Sequence, residues 1–173
     1  MSRTDDTSFQ QDYEKALHIA VKAHDGQKDM SGNNYVLHPI AVSGYCMTER
    51  AKIAALLHDV VEDTDVTLDD LREAGFGDDI VTAVDCVSKR DGEETIDYLK
   101  RVATDDIATE VKFADMRHNG MRWPAGRPKK EAKKNFKKYN RRAKQLLLLV
   151  GEERAKRAMS EETYEWVTVP DED

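Results

Sequence analysis

The spacing of the apolar residues constrains this chain to helices. Tyr13, Leu17, Ala20, Val21 and His24 fall on one stripe, and Ile80, Val81, Val84 and Val87 on another. Both return every three or four positions, the repeat of a single helical face. No segment alternates apolar and polar residues with the period of two that a half-buried strand requires, and no unit repeats along the chain. A length of 173 residues is enough for one domain with its own core. The expectation is an all-α bundle of short helices with one long basic helix near the C-terminus. The helices are expected over Ser8–His24 (capped by Ser8), Ile40–Met47 after Pro39, and Glu49–Val61. A short one should run to Ala74, opened by the box Thr67-Leu68-Asp69-Asp70 and stopped by Gly75. Others are expected over Asp78–Ser88, Thr95–Thr104, Ile107–His118 (ending at Gly120), Lys129–Val150 and Glu152–Met159. Trp123–Pro128, with two prolines and a glycine, is expected to be a loop.

Residues 1–7 are expected to be a flexible N-terminus, 8–159 the folded body, and 160–173 a loosely held acidic tail. The tail carries six acids and no base, with Tyr164, Trp166 and Val167 as its anchors. No apolar run approaches a membrane span, and M-S-R-T-D-D-T-S carries no signal pattern. Cys46 and Cys86 belong to no C-x-x-C unit, so neither a disulfide framework nor a cysteine zinc site is expected. Buried thiols in a reducing cytoplasm fit instead.

Chemistry gathers at Ala54–Asp65, A-A-L-L-H-D-V-V-E-D-T-D. If this stretch is helical, His58 and Glu62 are four apart, Asp59 lies three from Glu62 and four from Asp63, and all four polar groups are neighbours. Charge converging behind an apolar run needs a partner, and a divalent metal suits imidazole and carboxylate. A His-Asp pair alone is weak evidence, because a solvated helix end looks the same. Two other positions strengthen it: His38, before Pro39, and Asp115, an acid in the otherwise apolar V-K-F-A-D stretch. Two neutral imidazoles and two carboxylates balance one divalent cation and leave positions for water and substrate. His18 and His24 fit better as hydrogen-bonded helix residues than as ligands.

Several spaced motifs carry a resemblance: A-H-D-G-Q (Ala23–Gln27), S-G-x-x-Y-x-x-H-P (Ser31–Pro39), A-L-L-H-D-V-V-E-D-T (Ala55–Thr64), T-L-x-D-L (Thr67–Leu71) and V-K-F-A-D-M-R-H-N (Val111–Asn119). In this order they resemble the HD-domain metal-dependent phosphohydrolases, and among these the hydrolase domain of RelA/SpoT-type alarmone enzymes and their small single-domain relatives. The resemblance implies a helical HD bundle, with His38, His58, Asp59 and Asp115 as ligands of a metal, usually manganese. It implies Glu62 and Asp63 as the groups acting on the attacking water and leaving group. The implied reaction is removal of pyrophosphate from the 3′ position of guanosine tetra- or pentaphosphate. Substrate-facing positions would be Lys28, Tyr35, Lys89, Arg90, Lys112 and Asn119, with Lys112 expected to be solvated.

The chain departs from that pattern at Asp29, where alarmone hydrolases usually carry a cation, and at Asn34, where they often carry a proline. The His38–His58 interval also looks short for them. Asp29 is therefore expected to repel a polyphosphate, and Asp29→Arg to lower KM. Other phosphorylated nucleotides, such as a dinucleotide 2′-phosphate or a cyclic nucleotide, are the alternative substrates.

Arg127–Lys144 holds ten Lys or Arg and one acid, Glu131. Such a run can bind nucleic acid, and a non-enzymatic nucleic-acid-binding or regulatory HD protein is the rival reading. The net charge of −7 favours a solvated face instead, so a small nucleotide, rather than RNA, DNA or a membrane, is the expected partner. The oligomeric state is left open.

Overall fold

The computed structural model describes residues 3–122 and 128–170, with side chains from residue 7 onward. Eleven helices are present and no strand among the described residues: α1 (Arg3–Ala23), α2 (Leu37–Tyr45), α3 (Glu49–Leu57), α4 (Val60–Asp63), α5 (Leu68–Glu73), α6 (Asp78–Val87), α7 (Thr95–Val102), α8 (Asp106–Met121), α9 (Lys129–Val150), α10 (Glu152–Arg157) and α11 (Glu161–Thr168). Residues 123–127, most of the expected loop, lie outside the described residues, as do Asp171, Glu172 and Asp173. Among the described residues no helix is long and apolar enough to cross a membrane.

The bundle is built around α3. Ala51, Ile53, Ala54, Ala55, Leu56 and Leu57 are all buried, which leaves the helix apolar nearly all round, the mark of a central element. It packs against α1, α2, α6 and α8. Small alanines let these neighbours approach closely, and Leu56, Leu57, Phe113 and Met116 fill the space between them. α8 is also central: Val111, Phe113, Ala114 and Met116 are buried, and so is Asp115 among them.

Several boundaries differ from expectation. α1 begins at Arg3, so Ser8 lies inside the helix and does not cap it. His24 is buried whereas His18 is exposed. α2 begins at Leu37, with Pro39 in its first turn, where a proline costs no hydrogen bond. The expected helix Glu49–Val61 is broken. It ends at Leu57, and a new turn starts at Val60 after Asp59, whose φ of −100° and ψ of −10° depart from helical values and redirect the chain. The box at Thr67 forms in both directions: Thr67 N donates to Asp70 Oδ2 at 2.8 Å, and Asp70 N donates to Thr67 Oγ1 at 3.1 Å. Gly75 follows at φ +85°, the left-handed conformation that favours glycine.

The described part of the C-terminal segment, residues 160–170, is not loosely held. Thr163, Trp166 and Val167 are buried as α11 packs on α8 and α9. Arg117 donates to Thr163 Oγ1 at 3.1 Å and to Glu162 Oε2 at 2.9 Å. Asn140 of α9 donates to the Trp166 carbonyl at 2.6 Å. Gly120 lies inside α8 rather than after it. A Cβ there would fall 2.7 Å from Trp166 Cζ2 and 3.2 Å from Tyr139 Cβ, so α8, α9 and α11 meet at a glycine.

Candidate active site

The first turn of α2, the break between α3 and α4, and the middle of α8 converge on one buried point. His38 Nε2 lies 3.2 Å from Asp115 Oδ1 and 3.4 Å from Asp59 Oδ2. His58 Nε2 lies 3.1 Å from Asp59 Oδ1 and 3.8 Å from Asp115 Oδ1. The α3–α4 break is what turns Asp59 inward beside His58.

Each imidazole is held from behind. His58 Nδ1 donates to the Ala55 carbonyl at 2.7 Å, which reserves Nε2 for the centre. That Nε2 is buried and, despite its closeness to Asp59, has no aligned hydrogen-bond partner. His38 Nδ1 lies 2.7 Å from His118 Nδ1. Burial, with His38 and Arg122 nearby, pushes His118 down to about 4. Its ring is therefore neutral at neutral pH and can accept from His38 Nδ1, which turns the Nε2 edge of His38 toward the carboxylates.

The carboxylates are oriented in the same way. Tyr35 Oη donates to Asp59 Oδ2 at 2.7 Å. Asn119 Nδ2 donates to Asp115 Oδ1 at 2.5 Å, and Lys112 Nζ donates to Asp115 Oδ2 at 2.7 Å. Burial works against charge here, but Lys112 and the two imidazoles hold Asp115 well below the usual carboxylate range. Burial likewise opposes charge at His58, where Asp59 and Asp115 hold the protonated form up to about 9; a metal ion bound at Nε2 would displace that proton. Lys112 is not solvated as expected. Its side chain is only 18% exposed, with Nζ 5.0 Å from the centre of the Tyr98 ring. Asp115 and the electron-rich ring face substitute for water.

Three of these groups, His38, His58 and Asp115, place ligand atoms within 4.8 Å of one another, and Asp59 adjoins them. An orphaned imidazole nitrogen facing two carboxylates fits a divalent cation, which would occupy the space between them and balance their charge.

A cavity of about 210 Å³ opens over this point, and Glu62, Lys89, Lys112, Asn119, Tyr139 and Arg142 are among its lining residues. Glu62 Oε2 accepts from the Lys89 backbone N–H at 2.7 Å. Burial raises the Glu62 carboxyl above its ordinary value despite that bond, and burial with Asp59 raises Asp63. Gln27 Nε2 donates to the Asp63 carbonyl at 3.1 Å, tying the loop after α1 to α4. Tyr139 and Arg142, both on the basic α9, were not anticipated from the sequence, nor were Thr95 and Tyr98 of α7. Their spacing gave a usable signal only in retrospect: Tyr139 and Arg142 are three apart, on one face, within a run where most side chains are exposed.

Lys28 and Arg90 lie outside the cavity lining. Lys28 Nζ donates to Asn34 Oδ1 at 2.5 Å, and Arg90 pairs with Asp85 at 3.0 Å. Asp29 does not act as a loose anion. Its Oδ1 accepts from Ser31 N at 2.7 Å and Asn33 N at 2.9 Å, and its Oδ2 lies 3.6 Å from Arg122 Nη1. The carboxylate organises its own loop. Asp29→Arg is therefore expected to lower the melting temperature and to leave KM for an anionic nucleotide unimproved. A lower KM at an unchanged melting temperature would show that the carboxylate faces substrate after all.

His118 gives a second expectation. Partners behind a ligand imidazole are commonly worth about 10- to 100-fold in metal affinity. His118→Ala should weaken divalent-ion binding by that order with helicity kept, as measured by calorimetry. Unchanged affinity would show that His38 needs no such support.

The HD domain family model matches residues 16–122. A GTP pyrophosphokinase of Streptomyces coelicolor is 39% identical over 127 residues, covering 66% of this chain and 15% of that protein. A guanosine-3′,5′-bis(diphosphate) 3′-pyrophosphohydrolase of Vibrio cholerae is 47% identical over 77 residues, covering 42% of this chain and 11% of that protein. The chain thus spans only a small part of these curated relatives. A solved structure described as a metazoan ortholog of SpoT that hydrolyzes ppGpp superposes with a TM-score of 0.65 at 25% identity, covering 90% of this chain and 91% of that one.

Proposed function

This chain belongs to the HD domain family, and on that premise we propose that it is a metal-dependent phosphohydrolase that removes pyrophosphate from the 3′ position of guanosine tetra- or pentaphosphate. One observation carries the reading: the ligand cluster, the acid Glu62 and the cations Lys89, Lys112 and Arg142 share one cavity. The names borne by the relatives supply the substrate class.

His38, His58, Asp59 and Asp115 would hold the cation, manganese on the family pattern, whose Lewis acidity lowers the pKa of water and draws charge from phosphate oxygens. The rest of the chemistry belongs to side chains. Glu62 is fixed through Oε2 by the Lys89 N–H, which leaves Oε1 to take a proton from an attacking water. Its raised carboxyl makes it a better base than an ordinary glutamate. Asp63, on the same turn and also lining the cavity, would serve the leaving group. Lys89, Lys112 and Arg142 offset the charge that the phosphates bring, and Tyr139 supplies an aromatic wall suited to a nucleobase. A reducing cytoplasm fits the two buried free thiols, Cys46 and Cys86.

The test is a panel of nucleotides incubated with manganese-loaded protein, with products resolved by chromatography. The expected result is conversion of guanosine tetraphosphate to GDP and pyrophosphate. Cleavage of a dinucleotide 2′-phosphate or a cyclic nucleotide in its place would transfer the assignment to that substrate.

A further inference from the structure

The connection between α6 and α7 is tied at both sides of one residue. Arg101, on α7, donates from Nη1 to the carbonyls of Asp85 at 2.6 Å and Cys86 at 3.0 Å, and from Nη2 to that of Ser88 at 3.1 Å. These carbonyls at the end of α6 have no onward helical partners. The same guanidinium grips Glu93 twice, Nη2 to Oε2 at 2.6 Å and Nε to Oε1 at 3.1 Å. Glu93 Oε2 in turn accepts from Arg90 N at 3.0 Å. The peptide groups flanking Lys89 are thus both fastened to one ion pair, whose side chains are only 19% and 15% exposed. The Lys89 N–H, the other end of the peptide whose Ser88 carbonyl Arg101 holds, is the donor to Glu62 Oε2 at 2.7 Å. Lys89 and Glu62 both line the cavity.

We propose that Arg101 and Glu93 are positioning residues for the hydrolytic reaction: their fork holds the Lys89 peptide so that its N–H fixes Glu62 in the cavity. Neither touches the cavity itself. The proposal rests on Glu62 acting in hydrolysis, as the functional reading above has it. A plain α6 cap accounts for the three carbonyl contacts. It does not account for the bond from Arg90 N to Glu93 Oε2, which anchors the far side of Lys89. A forked, two-point grip is also what a guanidinium gives and an ammonium cannot.

The experiment uses the full chain and two variants. Glu93→Ala keeps Arg101 on the α6 carbonyls and is the main probe. Arg101→Lys keeps charge but loses the fork. The first readout needs no substrate: amide exchange of Lys89 by NMR. It should quicken by about tenfold or more in Glu93→Ala, with exchange in α3 and α8 unchanged. The second is kcat on guanosine tetraphosphate. Misplacement of a reacting group by about 1 Å costs about 100-fold, so a loss of about 10- to 100-fold is expected for Glu93→Ala. In a Glu62→Gln background the same change should cost less than about twofold, because residues acting through one group are not additive. Unaltered Lys89 exchange in Glu93→Ala overturns the proposal, as do losses that multiply in the double variant. If the wild type leaves the tetraphosphate intact, the functional reading fails while the exchange measurement still decides this one.

Discussion

Replacing His58 by alanine is expected to yield protein that binds no divalent ion and has no measurable hydrolase activity, with its helical content intact. The Ala55 carbonyl already directs His58 Nε2 inward, so this ring does nothing for the fold that its removal would undo on a large scale. What it does is complete a cluster whose ligand atoms lie within 4.8 Å of one another. Without it, Asp59 and Asp115 face each other across a gap that a cation would have to fill with fewer ligands. A chelator should silence the wild type to the same degree. Asp115→Ala should differ in one respect. It strands the Lys112 ammonium, paired to Asp115 Oδ2 at 2.7 Å, and breaking a buried ion pair on one side costs about 3–5 kcal/mol. Asp115→Ala is thus expected to lose both metal and a large share of stability, and His58→Ala mainly metal. Metal content by mass spectrometry and melting temperature separate the two. Stoichiometric manganese in His58→Ala would remove His58 from the ligand set.

Glu62→Gln is expected to lose about 100- to 10,000-fold in kcat, the range that positioned acid–base groups contribute, while metal content stays at the wild-type level. Glutamine keeps the size of the side chain, and its Oε1 can still accept from the Lys89 N–H, so the connection before α7 has no cause to move. Only proton-accepting capacity is lost. A fall in kcat with KM near the wild-type value separates chemistry from binding. Wild-type turnover in this variant would reduce Glu62 to an acid on a helix surface.

Much of this was legible in the sequence because it is written locally. The box at Thr67 depends on residues three apart. His38, His58, Asp59 and Asp115 stood out because each interrupts an apolar surrounding, and an interruption needs a partner wherever the fold places it. What stayed hidden depends on tertiary partners. Lys112 looks like any helix lysine until Asp115 and the Tyr98 ring are seen on either side of it. Asp29 looks like an anion near the phosphates until its own loop amides claim it. Arg142 and Tyr139 share a composition with a solvated face, and only the packing of α9 on α8 separates them from their neighbours. The helix break after Leu57 carries neither glycine nor proline. Gly120 reads in the sequence as a stop signal, whereas close packing is what it serves.

That glycine sets a tolerance. The cavity has one wall on α8, carrying Asp115 and Asn119, and another on α9, carrying Tyr139 and Arg142. The distance between the walls is gauged where Gly120 rests against Trp166 and Tyr139. Any larger residue at 120 would work as a shim, prising the walls apart without touching a ligand. The width of the opening is therefore calibrated by α11, a piece of the chain that carries none of the chemistry, and wear at that remote bearing would be felt as a looser grip on whatever the cavity holds.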